Sequence, residues 1–244
     1  IEHDAADDVE LEVNEINGGV YCFRAQWLWP HLDELIPAAN GELRLTDLVA
    51  MAVAEDERVE SVWPQEPEEL QGVNDRVQLA IAEASLRDRI RHDCMMSGVT
   101  MPDPASVYID AQVEIGQDSV VMPNTHVKGA SKIGRGCTLG PNTVVDDSTI
   151  GDGSSVFASV VRGSILDSGV EVGPFSHVRA GSRLASGVRI GSHAEVKSSR
   201  LGQGTKSSHF SYIGDADVGA NVNIGAGTVT CNYDGMAKHK TTIG

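Results

Sequence analysis

The sequence predicts a parallel β-helix of hexapeptide coils over residues 105–244, reached through a helical linker at 74–104 from part of an α/β domain at 1–73. Three observations carry this: a six-residue beat in the second half, a different mixture of patterns in the first 73 residues, and one helix-shaped stretch between them.

The beat runs through Ile109, Ile115, Val121, Val127, Ile133, Leu139 and Val145. It slips by one before Ile150 and resumes at Val172, Val178, Leu184, Ile190 and Val196. It then continues through Leu201, Ser207 and Ile213, and through Val218 and Ile224, with five-residue steps from 196 to 201 and from 213 to 218. A period of six fits neither the 3.6 of a helix nor the alternation of a two-sided sheet. It fits a triangular coil in which each hexad makes one flat face and points its aliphatic residue inward. Such coils stack about 4.8 Å apart through parallel backbone pairing. An ordinary β-sandwich does not hold a strict six-residue register for so long.

Residues 1–73 hold all three tryptophans, Trp27, Trp29 and Trp63, and mix a strand-like run, Gly19-Val-Tyr-Cys-Phe23, with a helical one, Leu45 to Val53. Residues 75–96 read as a helix with Val77, Ala80, Ile81 and Ala84 on one stripe and Gly98 as its stop. Met101-Pro-Asp-Pro104 closes that helix off from the coils.

Composition narrows the function classes. Asp and Glu number 35 against 19 Lys and Arg, a formal charge of −16, which repels nucleic acid and anionic membrane surfaces. Cys22, Cys94, Cys137 and Cys231 lie far apart with no CxxC pair, so neither a zinc site nor a disulfide framework is suggested, and a reducing cytoplasm fits. There is no apolar run of about 18 residues and no signal-peptide pattern at the start. The chain begins at Ile1 and ends on Ile243-Gly244, one step into another repeat, so both ends read as cut.

The beat also locates its exceptions. Val178 and Val196 are one full coil apart, so Arg179 and Lys197 must occupy the same corner of adjacent coils. Two cations about 4.8 Å apart repel by roughly 1 to 4 kcal/mol, and something anionic is expected between them. From 179 to 206 the chain carries Arg179, Arg183, Arg189, Lys197, Arg200 and Lys206 against a single acid, Glu195. Arg183, Arg189 and Lys206 read as a solvated basic face, and the stacked pair as a site for a small anion such as a phosphate. By the same counting Tyr212 approaches the Arg179/Lys197 corner from the neighbouring face. His209 lies within about 10 Å of Tyr212 along an extended strand. Ala226 and Gly225 stack over His209 and Ser208. A lone His is more often a surface or structural residue than a catalyst. Together with the cationic corner, His209 reads as a titratable base beside the Gly225-Ala226-Gly227 shelf, with a hydroxyl-bearing ring near Tyr212 and Asn223.

Several stretches closely resemble one family: Gly173-Pro-Phe175, Val178-Arg-Ala-Gly181, Ala194-Glu-Val-Lys197, Leu201-Gly-Gln-Gly-Thr-Lys206, His209-Phe-Ser-Tyr-Ile-Gly-Asp-Ala216, Asn221-Val-Asn-Ile-Gly-Ala-Gly227 and Cys231-Asn-Tyr-Asp-Gly235. They resemble the bacterial bifunctional enzymes that are both glucosamine-1-phosphate N-acetyltransferase and N-acetylglucosamine-1-phosphate uridyltransferase. Upstream, Ile1-Glu-His-Asp4, Glu15-Ile-Asn-Gly-Gly19, Gly41-Glu-Leu-Arg-Leu-Thr-Asp47 and Gly72-Val-Asn-Asp-Arg76 look like the closing part of that family's uridyltransferase domain, a nucleotidyltransferase of α/β type.

The resemblance implies a left-handed β-helix and a homotrimer. It makes His209 the general base that takes a proton from the sugar amine, has Arg179 and Lys197 hold the sugar phosphate, and has Tyr212 and Asn223 contact the sugar. Ala226, Asn232 and Tyr233 would line the acetyl-CoA site. Glu2 and Asn17 would contact the nucleotide sugar, and Asn74 would do so as a magnesium (Mg2+) ligand. Asn74 also reads as a helix N-cap, and Asn17 before Gly18-Gly19 as a turn residue. The implied substrates are glucosamine 1-phosphate, acetyl-CoA and UTP. The resemblance places the Gly-rich nucleotide loop and a second magnesium ligand before Ile1, and further coils after Gly244. Gly18, where Thr is common in the family, and Ser207-Ser208, where Ala-Gly is common, depart from its pattern. Two other readings compete: a sugar-1-phosphate nucleotidyltransferase whose β-helix is only an oligomerisation or regulatory module, and a purely structural spacer.

Overall fold

The computed structural model describes residues 17–38 and 40–244, so Glu2 and the Ile1–Asp4 stretch lie outside the described residues. The chain divides into two units, Ile1–Ala82 and Glu83–Gly244.

In the first unit, helix α1 spans Ala25–Leu32 and helix α2 spans Leu45–Ala54. Leu48 and Ala52 are the buried residues of α2. The strand-like run 19–23 forms no strand. Tyr21 stacks on Phe23, Phe23 on Trp27 and Trp27 on His31, with ring centroids 5.8, 6.1 and 4.2 Å apart, so the aromatic residues that favour a strand are paired in a ring stack instead. Glu55, at the end of α2, accepts from the Trp27 indole at 2.8 Å and bonds the His31 imidazole at 2.9 Å. Among the described residues of this unit the regular structure is helical.

Helix α3 runs Arg76–Met96. Its N-cap is Asp75: Oδ1 accepts from the backbone N–H of Gln78 at 2.8 Å, and the Asp75 carbonyl accepts from Leu79 N–H at 3.0 Å. The expected cap, Asn74, sits one residue too early. The helix ends where Gly98 takes φ +98° and its N–H bonds the Met95 carbonyl. The expected stripe is not the buried one, since Val77, Ala80 and Ile81 are exposed. Ile90 and Cys94 instead pack on the cluster of Val99, Met101, Val107, Ile109 and Val121, which closes the first end of the coils.

The coils form a parallel β-solenoid with three sheets. The first face holds seven strands, from Tyr108–Ile109 to Ser211–Gly214. The second holds eight, from Glu114–Ile115 to Thr241–Ile243, and the third seven, from Val120–Val121 to Asn223–Ile224. Every strand in these sheets pairs in parallel with the strand one coil away. The beat residues form the core: Val121, Val127, Leu139, Val145, Val178, Leu184, Val196 and Ile213 are fully buried. Burial of each such side chain contributes about 1.5 to 3 kcal/mol, and a coil supplies three. Ser207 occupies one of these inward positions, and its hydroxyl is bonded to that of Ser211 at 2.8 Å.

The stretch where the sequence beat is lost, 150–172, keeps the same architecture with Val156, Val161 and Leu166 as inward residues. The first-face partners Val145, Val161, Val178 and Val196 lie 16, 17 and 18 residues apart in turn. Shorter coils save residues at the corners. Each five-residue step turns on one residue with φ between 43° and 51°, namely Asp147, Ala158, Gly163, Ser198 or Asp215. Buried serines beside these corners satisfy backbone groups of the next coil, as where Ser199 Oγ donates to the Ile213 carbonyl at 3.2 Å and accepts from Ala216 N–H at 2.9 Å.

Candidate active site

The register of the first face sets Val178 against Val196 and Lys197 against Gly214. Arg179 and Lys197 therefore stand in one column on adjacent coils, as counted from the sequence. Below Arg179 the column continues with Arg162, whose strand pairs Val161 with Val178. The protein supplies part of the anionic charge itself. Arg179 Nη1 lies 2.7 Å from Glu195 Oε1, and Lys197 Nζ lies 3.1 Å from Asp215 Oδ2. Arg183 and Arg189, read as a solvated face, pair with Asp167 and Glu171 at 3.1 Å.

Tyr212 joins this column differently from the expectation. It stands on the first face itself, opposite Glu195, and not on the neighbouring face. Its ring lies over Gly214: a Cβ there would come within 2.5 Å of the phenol oxygen and 2.6 Å of two ring carbons. The missing side chain of Gly214 thus makes the space that lets the phenol reach the Lys197 position. Asn232, which is buried, donates from Nδ2 to Asp215 Oδ2 and to the Tyr212 hydroxyl at 3.4 Å. The Lys197 and Asn232 hydrogen bonds hold the Asp215 carboxyl below its usual range.

Sequence reasoning missed two members. Asp215 is a corner residue, and the beat gives no weight to corners. Lys238 belongs to a non-repeating excursion, in which Tyr233 bridges Lys238 antiparallel, so no coil counting reaches it. Its hydrogen bond to Lys197 and the charge of that neighbour pull Lys238 below the lysine range, while Lys197, bonded to Lys238 and Asp215, is raised.

His209 lies at the exposed bend between the third and first faces. Ser207 pairs with Ile224, which sets Ser208 and His209 against Gly225 and Ala226, and the Phe210 carbonyl accepts from Gly227 N–H at 2.9 Å. A Cβ at Gly225 would meet nothing within 4 Å, so the shelf beside His209 is open. Within one chain, Asn223 does not join Tyr212: it stands on the third face, against Lys206. Tyr233 is exposed, and its hydroxyl donates to the Gly235 carbonyl at 2.8 Å.

In the first unit Asn17 makes an Asx-type turn, its Oδ1 accepting from Gly19 N–H at 3.0 Å while Nδ2 donates to the Tyr21 hydroxyl at 2.6 Å. The backbone N–H of Asn74 donates to Gln78 Oε1 at 2.6 Å. Among the described residues no group of three or more His, Cys, Asp or Glu side chains gathers as a metal site. No helix among them is long and apolar enough to cross a membrane.

Residues 112–147 match the bacterial transferase hexapeptide (six repeats) family. The whole chain matches the bifunctional protein GlmU of Trichlorobacter lovleyi at 45% identity over 246 residues, covering 54% of that protein. It matches the bifunctional protein GlmU of a Geobacillus species at 45% over 244 residues, covering 53% of it. A solved UDP-N-acetylglucosamine acyltransferase shares 15% identity over 55% of this chain and 66% of its own, with a TM-score of 0.31, too distant to bear on function. The chain spans about half the length of the curated relatives it matches. Over its whole length the chain is similar to about half of these bifunctional GlmU proteins, and its residues 112–147 carry the bacterial transferase hexapeptide repeats.

Proposed function

We propose that the coils serve acetyl transfer from acetyl-CoA to the amine of glucosamine 1-phosphate. We further propose that the longer protein also transfers a uridylyl group from UTP to N-acetylglucosamine 1-phosphate, giving UDP-N-acetylglucosamine. The domain reading is 1–73 as part of the uridyltransferase, 74–104 as linker and 105–244 as a left-handed β-helix, in a cytoplasmic homotrimer. The observations that support the proposal are the stacking of Arg179 and Lys197 in one column, with the Tyr212 ring over Gly214 at the next position of that column, and the open backbone at Gly225 beside the bend that carries His209.

In this reading Arg179 and Lys197 hold the sugar phosphate, and Tyr212 and Asn223 position the sugar. His209 takes a proton from the amine as its nitrogen attacks the thioester carbonyl. The carbon–sulfur bond then breaks, and the leaving thiolate of CoA is protonated. An amine attacks only when neutral, and a base of near-neutral pKa accelerates such a step by about 100- to 10,000-fold. Ala226, Asn232 and Tyr233 line the acetyl-CoA path, although Asn232 is largely committed to Asp215. In the uridylyl step Glu2, Asn17 and Asn74 contact the nucleotide sugar, and magnesium at Asn74 is an expectation for the longer protein.

The test is His209→Ala in the full-length enzyme, followed by thiol release from acetyl-CoA. The expected loss is about 100-fold or more. Release at the parental rate would remove the base assignment. Calorimetry with glucosamine 1-phosphate, with Arg179→Ala as control, separates this from the reading in which the coils only assemble subunits: that reading expects no heat of binding.

A further inference from the structure

A shallow cleft of about 400 Å3 opens one coil below the Lys197 corner, lined by Arg162, His177, Arg179, Ala180 and Glu195. Its cations exceed what the acetyl-transfer reading uses. One phosphate is gripped by two neighbouring cations, Arg179 and Lys197, which leaves Arg162 as a third in the same column. Arg162 is half exposed, and its ion pair with Asp146 is 3.7 Å long, beyond a hydrogen bond. His177 Nε2 is enclosed with no hydrogen-bond partner. Burial, together with the charges of Arg162 and Arg179 and against that of Glu195, holds the His177 imidazole below its usual pKa.

We infer that Arg162, His177 and Arg179 form a second anion subsite which, together with Lys197, reads a diphosphate group in preference to a single phosphate. The subsite goes beyond the acetyl-transfer reading, with which it shares Arg179. Three cations on three successive coils, about 4.8 Å apart, match two phosphoryl groups bridged by one oxygen, the shared Arg179 lying between them. Three carboxylates temper the site. Asp146 lies below Arg162, Glu195 bonds Arg179 and Asp215 pairs with Lys197, so an entering diphosphate exchanges the Glu195 and Asp215 contacts for its own oxygens. Arg162 has uncommitted N–H groups to offer, and His177 forms part of the wall.

The experiment is calorimetry of the full chain with inorganic phosphate and with inorganic pyrophosphate, in metal-free buffer. Pyrophosphate is expected to bind at least about tenfold more tightly, the size of one charge-assisted hydrogen bond. Arg162→Ala is expected to bring that ratio to within about twofold while affinity for glucosamine 1-phosphate stays within about twofold. Arg183→Ala, on the second face and paired with Asp167, is expected to leave the ratio intact. Equal affinity for phosphate and pyrophosphate in the parent chain overturns the inference. So does a pyrophosphate preference that survives Arg162→Ala in a chain whose circular dichroism is unchanged. Neither result touches the acetyl-transfer reading, which fails separately if glucosamine 1-phosphate does not bind at all.

Discussion

Replacing Gly214 by Ala isolates the placement of Tyr212. Gly214 does not use a left-handed backbone, so Ala is acceptable there on conformational grounds, and the whole effect is steric. The new Cβ would lie 2.5 Å from the phenol oxygen and 2.6 Å from two ring carbons. The backbone cannot yield easily, because Gly214 N–H donates to Thr230 Oγ1 at 2.7 Å and that hydroxyl donates back to the Gly214 carbonyl at 3.0 Å. The ring must therefore swing away, losing its Asn232 contact and its station above Lys197. Overpacking of this kind costs about 1 to 3 kcal/mol, and each kcal/mol lowers the melting temperature of a chain this size by roughly 2 to 4 °C. Loss of one phenol hydrogen bond to a charged ligand weakens glucosamine 1-phosphate binding by about tenfold. Calorimetric melting and ligand titration measure both. The control is Tyr212→Ala, which removes the clash: in that background Gly214→Ala should cost less than about 0.5 kcal/mol. Equal destabilisation with and without the Tyr212 ring would refute the steric argument.

Three further outcomes are expected. Ser207→Ala leaves the buried Ser211 hydroxyl without its partner and costs about 1 to 3 kcal/mol by denaturant unfolding, whereas Ser207→Ala with Ser211→Ala costs less than the single change. The Asp234 carboxylate, held at about 2 by the backbone N–H groups of Ala237 and Met236 and then by His239, keeps its turn folded above the ordinary carboxylate range. A lowered folded-state pKa stabilises above the unfolded value, so the turn loosens only as pH falls from near 4 toward 2. Amide shifts of Met236 and Ala237 followed by NMR should titrate in that low window, and a midpoint near 4 would contradict it. Lys197→Ala removes the first cause of the Asp215 depression, so carbon-detected titration of the Asp215 carboxyl should show its pKa rising toward the ordinary value.

The solenoid was legible because inward aliphatic residues recur at fixed intervals, and every beat residue from Val121 to Ile224 lies inside, Ser207 included. The beat faded at Val156, Val161 and Leu166 because corners built on Ala158 and Gly163 close in five residues, and closure depends on backbone dihedrals that spacing does not reveal. The Arg179/Lys197 column was legible for the same reason as the core, since stacking follows from counting. Asp215, Lys238 and the Gly214 clearance were not, because each depends on where a side chain goes after leaving a corner or a non-repeating loop. Asn74 shows the opposite error: a sound capping preference was assigned one residue early, and Asp75 has the cap.

The variable corner makes the wall behave like a ruled column with slack at its edges. A residue lost or gained at a bend changes the length of one circuit without rotating the strands beyond it, so the ledger of outward side chains along a face survives. A residue inserted within a strand has no such refuge and would turn the core residue of that rung toward water. Variation in length should therefore gather at bends, and the cationic column can stay aligned while the chain around it grows or shrinks.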